Sequence, residues 1–312
     1  MTRPALAALA VLAAAAAPAQ SPSPPAPFTL EVDVGVVSMT AVVEDKDGRP
    51  IRGLGAKDVV VLEDGVPQEL TYFREAKGAQ EDVPLSVVLV LDASGSMRQN
   101  VHFMQEAAIT FVHKLQEVDK ALVVDFNEGV RGSADFTGDA ERLEQFVDAI
   151  QPWGGTSLYD AIHYGLSRIR DERGRKAIIV FSDGADTTST LQEDEVITFA
   201  RAAEATIYTI GIRGDSGLVA RSPRGFLRKV AKETGGLFFF PEKVGELTRI
   251  FTEISDELHN HYLLGYSPRR SPDNLWRDIE MRVQGRKDAQ VRVRKGYFAT
   301  RKKQPRRAQT AP

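Results

Sequence analysis

The stretch LSVVLVLDASGSM, residues 85–97, decides how this chain folds. Its first seven residues are almost wholly apolar, with no polar alternation, as expected for a strand covered on both faces. The run stops at Asp92 and turns through Ser94, Gly95 and Ser96. An acid followed by two hydroxyls around a glycine suits a nucleophilic serine, a cup for a cation, or a helix cap. The surrounding sequence has to choose among them.

Downstream, strand and helix patterns alternate. Met104, Ala108, Phe111, Val112 and Leu115 form one stripe of a helix expected over about 99–117. KALVVDF, RKAIIVFSDG, TIYTIGI and LFFF read as strands. DAERLEQFVDAI, SLYDAIHYGLSRIR, EDEVITFARAAEA, RGFLRKVAKETGG and GELTRIFTEISDEL read as helices. This alternation predicts an α/β fold: a doubly wound, mainly parallel sheet with helices on both faces, over residues 84–259. The flanks differ. Residues 28–80, with FTLEVDVGVVSMTAVVE, DVVVLEDG and QELTYF, and residues 260–300, with HYLLGYS, WRDIEMRVQ and QVRVRKGYF, read as β-strands joined by turns. We expect them to form one smaller all-β domain from both ends of the chain, with the α/β part inserted.

Residues 1–19 read as a signal peptide: Arg3, a short apolar core, and Ala17-Pro18-Ala19 before Gln20. The run is shorter than a spanning helix needs. Residues 20–27 are a Pro-rich linker and 301–312 a basic tail without apolar pattern, expected to be disordered. The protein is therefore expected to be exported, periplasmic or secreted. It contains no cysteine, which excludes disulfides and thiolate metal sites. A net charge of −3 supplies no basic field for nucleic acid.

Ligands of open parallel sheets bind at the carboxyl ends of the strands. Three oxygen-bearing segments are expected there: Asp92, Ser94 and Ser96; Thr156 in WGGTSLYD; and Asp183 in VFSDGAD. Two carboxylates and three hydroxyls suit a hard cation, Mg²⁺ first and Mn²⁺ or Ca²⁺ next. Gly95 lets the turn tighten, and Gly154 and Gly155 leave the second loop free to move. DASGSM lacks the G-x-S-x-G pattern of a nucleophile elbow. Neither His102, His113 and His163 in helices nor His259 and His261 in the returning β-part offers a general base, which argues against an enzyme. Ser157 and Asp160 resemble a capping box. Asp125 reads as a loop residue, and Arg213-Gly214-Asp215 as a turn.

The order Asp92-x-Ser94-x-Ser96, then Thr156 in GGTSLYDA, then Asp183 in FSDGAD resembles the von Willebrand factor type A domain with its metal-ion-dependent adhesion site. The flanks resemble, more loosely, those of exported bacterial proteins that carry this domain between β-segments. The resemblance implies that Ser94, Ser96 and one of Thr156 or Asp183 bind the metal directly, the remaining acids acting partly through water. It also implies a non-enzymatic role in which an Asp or Glu carboxylate of a protein partner completes the coordination. Trp153, Gly155 and Asp186 are the expected partner-facing residues. The rival readings are a scaffold or assembly subunit acting through its β-domain without exchange of a metal ligand and, behind it, a metal-assisted hydrolase.

Overall fold

The computed structural model describes residues 35–76, 83–183, 186–212, 224–286 and 288–300. The expected signal peptide, the linker, the basic tail and Arg213-Gly214-Asp215 lie outside the described residues.

The leading flank supplies β1 (Val37–Glu44), β2 (Val59–Glu63), β3 (Val66–Gln68) and β4 (Leu70–Glu75). The central part runs β5 (Leu85–Asp92), α1 (Val101–Val112), β6 (Lys120–Phe126), β7 (Val130–Gly132), α2 (Ala140–Asp148), α3 (Leu158–Ile169) and β8 (Arg175–Ser182). It continues through α4 (Glu193–Ala202), β9 (Thr206–Gly211), α5 (Arg224–Thr234), β10 (Phe238–Phe239) and α6 (Leu247–Leu258). The trailing flank adds β11 (Tyr262–Tyr266), β12 (Trp276–Val283), β13 (Gln290–Val293) and β14 (Gly296–Phe298).

The central sheet has the order β10-β9-β8-β5-β6-β7. All its pairings are parallel except β6–β7. All eight residues of β5 are buried. Val87, Leu89 and Leu91 enter a core shared with α1, α2 and α6. Val88 and Val90 enter the opposite core with α3, α4 and α5. That is the two-sided burial the apolar run foretold. From β5 the chain crosses to β6 on one side, and β8 lies on the other. The carboxyl ends of β5 and β8 therefore flank the point where the winding reverses, where such sheets open a crevice.

Strands from both flanks interleave. One antiparallel sheet has the order β13-β1-β11-β4, the other β14-β12-β2-β3. Val37, Met39, Ala41 and Val43 alternate into a core that also takes Val61, Leu264, Tyr266, Ile279 and Met281. Each sheet contains strands from before and after the α/β part, so neither flank completes a sheet alone.

Several details differ from expectation. The helix expected at 99–117 is α1, Val101–Val112, preceded by a 3-10 turn at Gly95–Gln99. QVRVRKGYF splits because β13 and β14 belong to different sheets, and the chain crosses between them at Arg294–Lys295. His259 is no strand residue: it caps α6 and bonds Asp119 (Nε2 to Oδ2, 2.9 Å) and the Ser255 carbonyl (2.7 Å). Among the described residues no helix is long and apolar enough to cross a membrane.

Candidate metal centre

Asp92 is the last residue of β5 and is fully buried. The Ser94 amide donates to its Oδ1 (2.8 Å) and the Ser182 hydroxyl to its Oδ2 (2.6 Å). The turn that begins at Ser94 then aims two hydroxyls at one place. Ser96 donates to Oδ1 of Asp183 (2.8 Å), and the Ser94 and Ser96 oxygens lie 3.0 Å apart. With the Ser96 proton committed to Asp183, Ser94 is the donor between the two serines, and lone pairs of both oxygens stay available. Asp183 follows the last residue of β8 and is 5% exposed. Its Oδ2 is buried with no hydrogen-bond partner among the described residues.

The third segment is placed by its backbone. The Trp153 amide donates to the Ala93 carbonyl (2.9 Å) and the Gly95 amide to the Gly154 carbonyl (3.0 Å). Thr156 is buried; its amide donates to Thr187 Oγ1 (2.8 Å) and its carbonyl accepts from the Thr187 amide (2.8 Å). Four of the five expected donors, Asp92, Ser94, Ser96 and Asp183, thus share one hydrogen-bonded network, and Thr156 is carried beside it on a loop strapped to the same turn. The glycines serve closeness more than freedom. A Cβ at Gly155 would stand 2.8 Å from Thr188 Cγ2, and Gly154 sits at φ +70°.

The electrostatics of the donor set suit a cation. The partners of Asp92 are hydroxyls and an amide, all uncharged. Burial pushes its pKa from 3.8 up to about 6, with the negative field of Asp183 adding to the rise. Burial raises Asp183 as well. Two buried carboxylates, an oxygen without a donor among the described residues, and serine hydroxyls whose lone pairs stay available make a hard-oxygen set suited to Mg²⁺. Among the described residues no group of three or more His, Cys, Asp or Glu is gathered anywhere. Any cation here must rely on hydroxyls to complete its shell.

A pH test follows. In metal-free protein, folded Asp92 holds its proton up to about pH 6, whereas the unfolded chain loses it near 3.8. The unfolded state then binds fewer protons across that window, so the Asp92 contribution to stability falls as pH rises. Buried His261, with its pKa lowered to about 3 by burial and the neighbouring Arg175, works the opposite way and is lost toward acid. Asp92 is isolated by difference. In chelator, the stability of wild type minus that of Asp92→Asn should rise by about 1 kcal/mol from pH 7 to pH 5. Urea unfolding at both pH values measures it, and a flat difference would mean that Asp92 ionises normally.

Other expected residues take different places. Trp153 is 54% exposed on the rim. Asp186 is braced inside its loop, accepting from the Tyr159 amide (3.1 Å) and the Ser189 hydroxyl (2.5 Å). Ser157 and Asp160 form no capping box: Ser157 makes no side-chain cap bond, and Asp160 accepts from the amides of Thr190 (3.0 Å) and Leu191 (3.0 Å). Asp125 lies within β6, paired with Arg131 (2.9 Å). Elsewhere His113 pairs with Glu144 (2.7 Å), and the His163 ring lies 4.4 Å from that of Phe199. Sequence reasoning missed Ser182, and also Glu128, whose Oε1 accepts from the Gly155 amide (3.2 Å) and puts an acid on the rim. Ser182 could have been found only from register: Leu91 pairs with Phe181, which sets Ser182 beside Asp92.

Comparison with known proteins places the fold. The pig (Sus scrofa) inter-alpha-trypsin inhibitor heavy chain H4 is 27% identical over 170 residues, covering 50% of this chain and 18% of that protein's length. Among solved structures, the pilus adhesin SpaC from Lactobacillus rhamnosus GG, in its open conformation, is similar in fold. The TM-score is 0.50 at 10% identity, covering 83% of this chain and 47% of that one. The von Willebrand factor domain of the type V pili tip protein Mfa5 from Porphyromonas gingivalis gives a TM-score of 0.48 at 18% identity, covering 56% of this chain and 95% of that one. The family profile described as von Willebrand factor type A domain matches residues 86–253, more than half of the chain, from the second residue of β5 into α6. The chain belongs to the von Willebrand factor type A domain family.

Proposed function

We propose that the protein is an exported, non-enzymatic binding protein whose central domain holds one divalent cation, Mg²⁺ by preference, at the carboxyl ends of β5 and β8. Asp92, Ser94, Ser96, Thr156 and Asp183 are the protein's donors. A carboxylate from a protein partner takes the remaining position, and Trp153 on the rim meets that partner's surface. The observation that carries this reading is the buried pair Asp92 and Asp183, linked through the Ser94 amide and hydroxyl and the Ser96 hydroxyl, with Asp183 Oδ2 left without a donor among the described residues. Such a pair is costly without positive charge and favourable with it. The export reading rests on Arg3, the apolar run and Ala17-Pro18-Ala19. The pilus adhesin SpaC shares the fold, and at 10% identity that likeness reaches the fold alone.

Calorimetric titration of the chelator-treated protein tests it. We expect one Mg²⁺ per chain in wild type and no uptake in Asp183→Asn. Trp153→Ala should leave uptake within about twofold, because the indole is exposed and holds no donor toward the site. Absence of saturable uptake of Mg²⁺, Mn²⁺ and Ca²⁺ alike would end the proposal.

A further inference from the structure

A cavity of about 570 Å³ lies at the opposite end of the central sheet, where the first residues of β8 and β9 meet β1, β4 and β11. Its wall carries positive charge from Arg74, Arg175, Lys176 and Arg294 against one acid, Glu204. Met39, Tyr72, Val83 and Leu263 supply apolar wall, and hydroxyls come from Ser38, Thr40 and Thr206.

The cationic groups are not equivalent. Arg175 is committed to the chain itself: Nε donates to the Val83 carbonyl (3.0 Å) and Nη1 to that of Leu258 (2.5 Å), so it clasps the two crossings into and out of the α/β part. Lys176 donates to the Arg170 carbonyl. Arg294 is different. Its side chain is 11% exposed, and among the described residues none of its three guanidinium nitrogens has a hydrogen-bond partner. Its ion pair with Glu204 is long, 3.8 Å, and its guanidinium carbon stands 5.6 Å from the Tyr297 ring centroid. Five N–H donors held out of water without acceptors cost several kcal/mol unless something accepts them. Burial accordingly holds this guanidinium below its ordinary pKa. It sits where the chain crosses from β13 to β14, a position fixed by both sheets.

We propose that this cavity is a binding site for a small amphiphilic monocarboxylate, with Arg294 gripping the carboxylate and the apolar wall covering the carbon body. The planar fork of a guanidinium matches a carboxylate bidentately. The volume falls within the range of small-molecule sites. Glu204, 3.8 Å from the guanidinium, disfavours a second negative charge and sets a monoanion above a phosphate dianion. The site is independent of the cation centre: none of its lining residues is a proposed metal donor.

Octanoate is the probe, titrated calorimetrically into the full chain at pH 8, with octan-1-ol and octyl phosphate as comparisons. We expect saturable binding of octanoate with one site per chain, at least about 10-fold weaker binding of octyl phosphate, and none of octan-1-ol. Arg294→Met should weaken octanoate by about 10-fold or more, the scale of a lost charge-assisted pair. Arg74→Glu, exposed on the cavity rim, should weaken it as well and cannot disturb the core. Circular dichroism and unchanged magnesium uptake establish that each variant is folded. No saturable octanoate binding, equal binding of octanol, tighter binding of octyl phosphate, or indifference to both substitutions would each overturn the assignment.

Discussion

Asp92→Asn is expected to abolish the proposed magnesium uptake and to leave the fold standing. The asparagine oxygen can still accept from the Ser94 amide, and its amide can face the Ser182 hydroxyl, so both local contacts of Asp92 keep a partner. Only the charge is lost. A ligand present at one hundred times its dissociation constant stabilises the folded state by about 2.7 kcal/mol. For a protein of this size that raises Tm by roughly 5–10 °C. We expect wild type to show this rise on adding Mg²⁺ and the variant to show none. In chelator at pH 7 the variant should be no less stable than wild type, because it removes a carboxylate whose pKa burial has pushed up to about 6. Ser96→Ala provides an independent check. Ser96 is exposed, yet it donates to Asp183, so its loss should weaken uptake without unfolding. Uptake by Asp92→Asn within threefold of wild type would show that Asp92 is no ligand. Should a partner captured in magnesium bind the variant as well as wild type, recognition would pass through the β-flanks instead.

The residues of this centre were legible for a reason that does not extend to everything around it. Asp92, Ser94 and Ser96 lie within five positions, and the end of an apolar strand marks where they stand. Asp183 is marked by the strand before it in the same way. Nothing local shows Ser182, which reaches Asp92 only through the pairing of β5 with β8. Nothing local shows that Asp160 receives Thr190 and Leu191 instead of closing a capping box. Both contacts are set by how loops from distant segments meet.

The same contrast holds for the fold. The helices were readable because each buries one apolar stripe, as α6 does with Leu247, Ile250, Phe251, Ile254 and Leu258. The edge strands β3 and β7 have three residues each, too few to show a period. The break between β13 and β14 is only faintly marked: residues 290–294 alternate, the alternation lapses at Lys295-Gly296, and it is the existence of two sheets that divides the strands there. Arg277 and Glu63 are the clearest case of charge hidden from sequence. Both occupy strand positions that look polar, and both are buried.

Glu63→Ala should destabilise the protein by about 3–5 kcal/mol, the usual cost of leaving a buried ion with its partner removed. Glu63 is 2% exposed at the end of β2. Its Oε1 accepts from Arg277 Nη1 (3.1 Å), and its Oε2 accepts from the hydroxyls of Tyr266 and Tyr297 (2.8 Å each). Truncation takes the buried counterion from a guanidinium that is itself 1% exposed and removes the acceptor of two buried phenols. Arg277 keeps the carbonyls of Arg270 (3.2 Å) and Ser271 (2.6 Å) and an ion pair with Asp273 (3.4 Å), whose carboxylate is 38% exposed and screened by water, so it replaces the buried charge only in part. Those groups come from β2, β11, β12 and β14, so the loss falls on the strands through which the two ends of the chain are joined. Glu63→Gln retains the side-chain volume and one acceptor oxygen for the phenols, while its amide nitrogen replaces the oxygen that faces Arg277, and it should cost less than the alanine variant. Urea midpoints measure both, with Mg²⁺ titration as the control that the distant cation centre is untouched. An alanine variant within 1 kcal/mol of wild type would mean that water reaches Arg277 and that the cluster contributes little to joining the flanks.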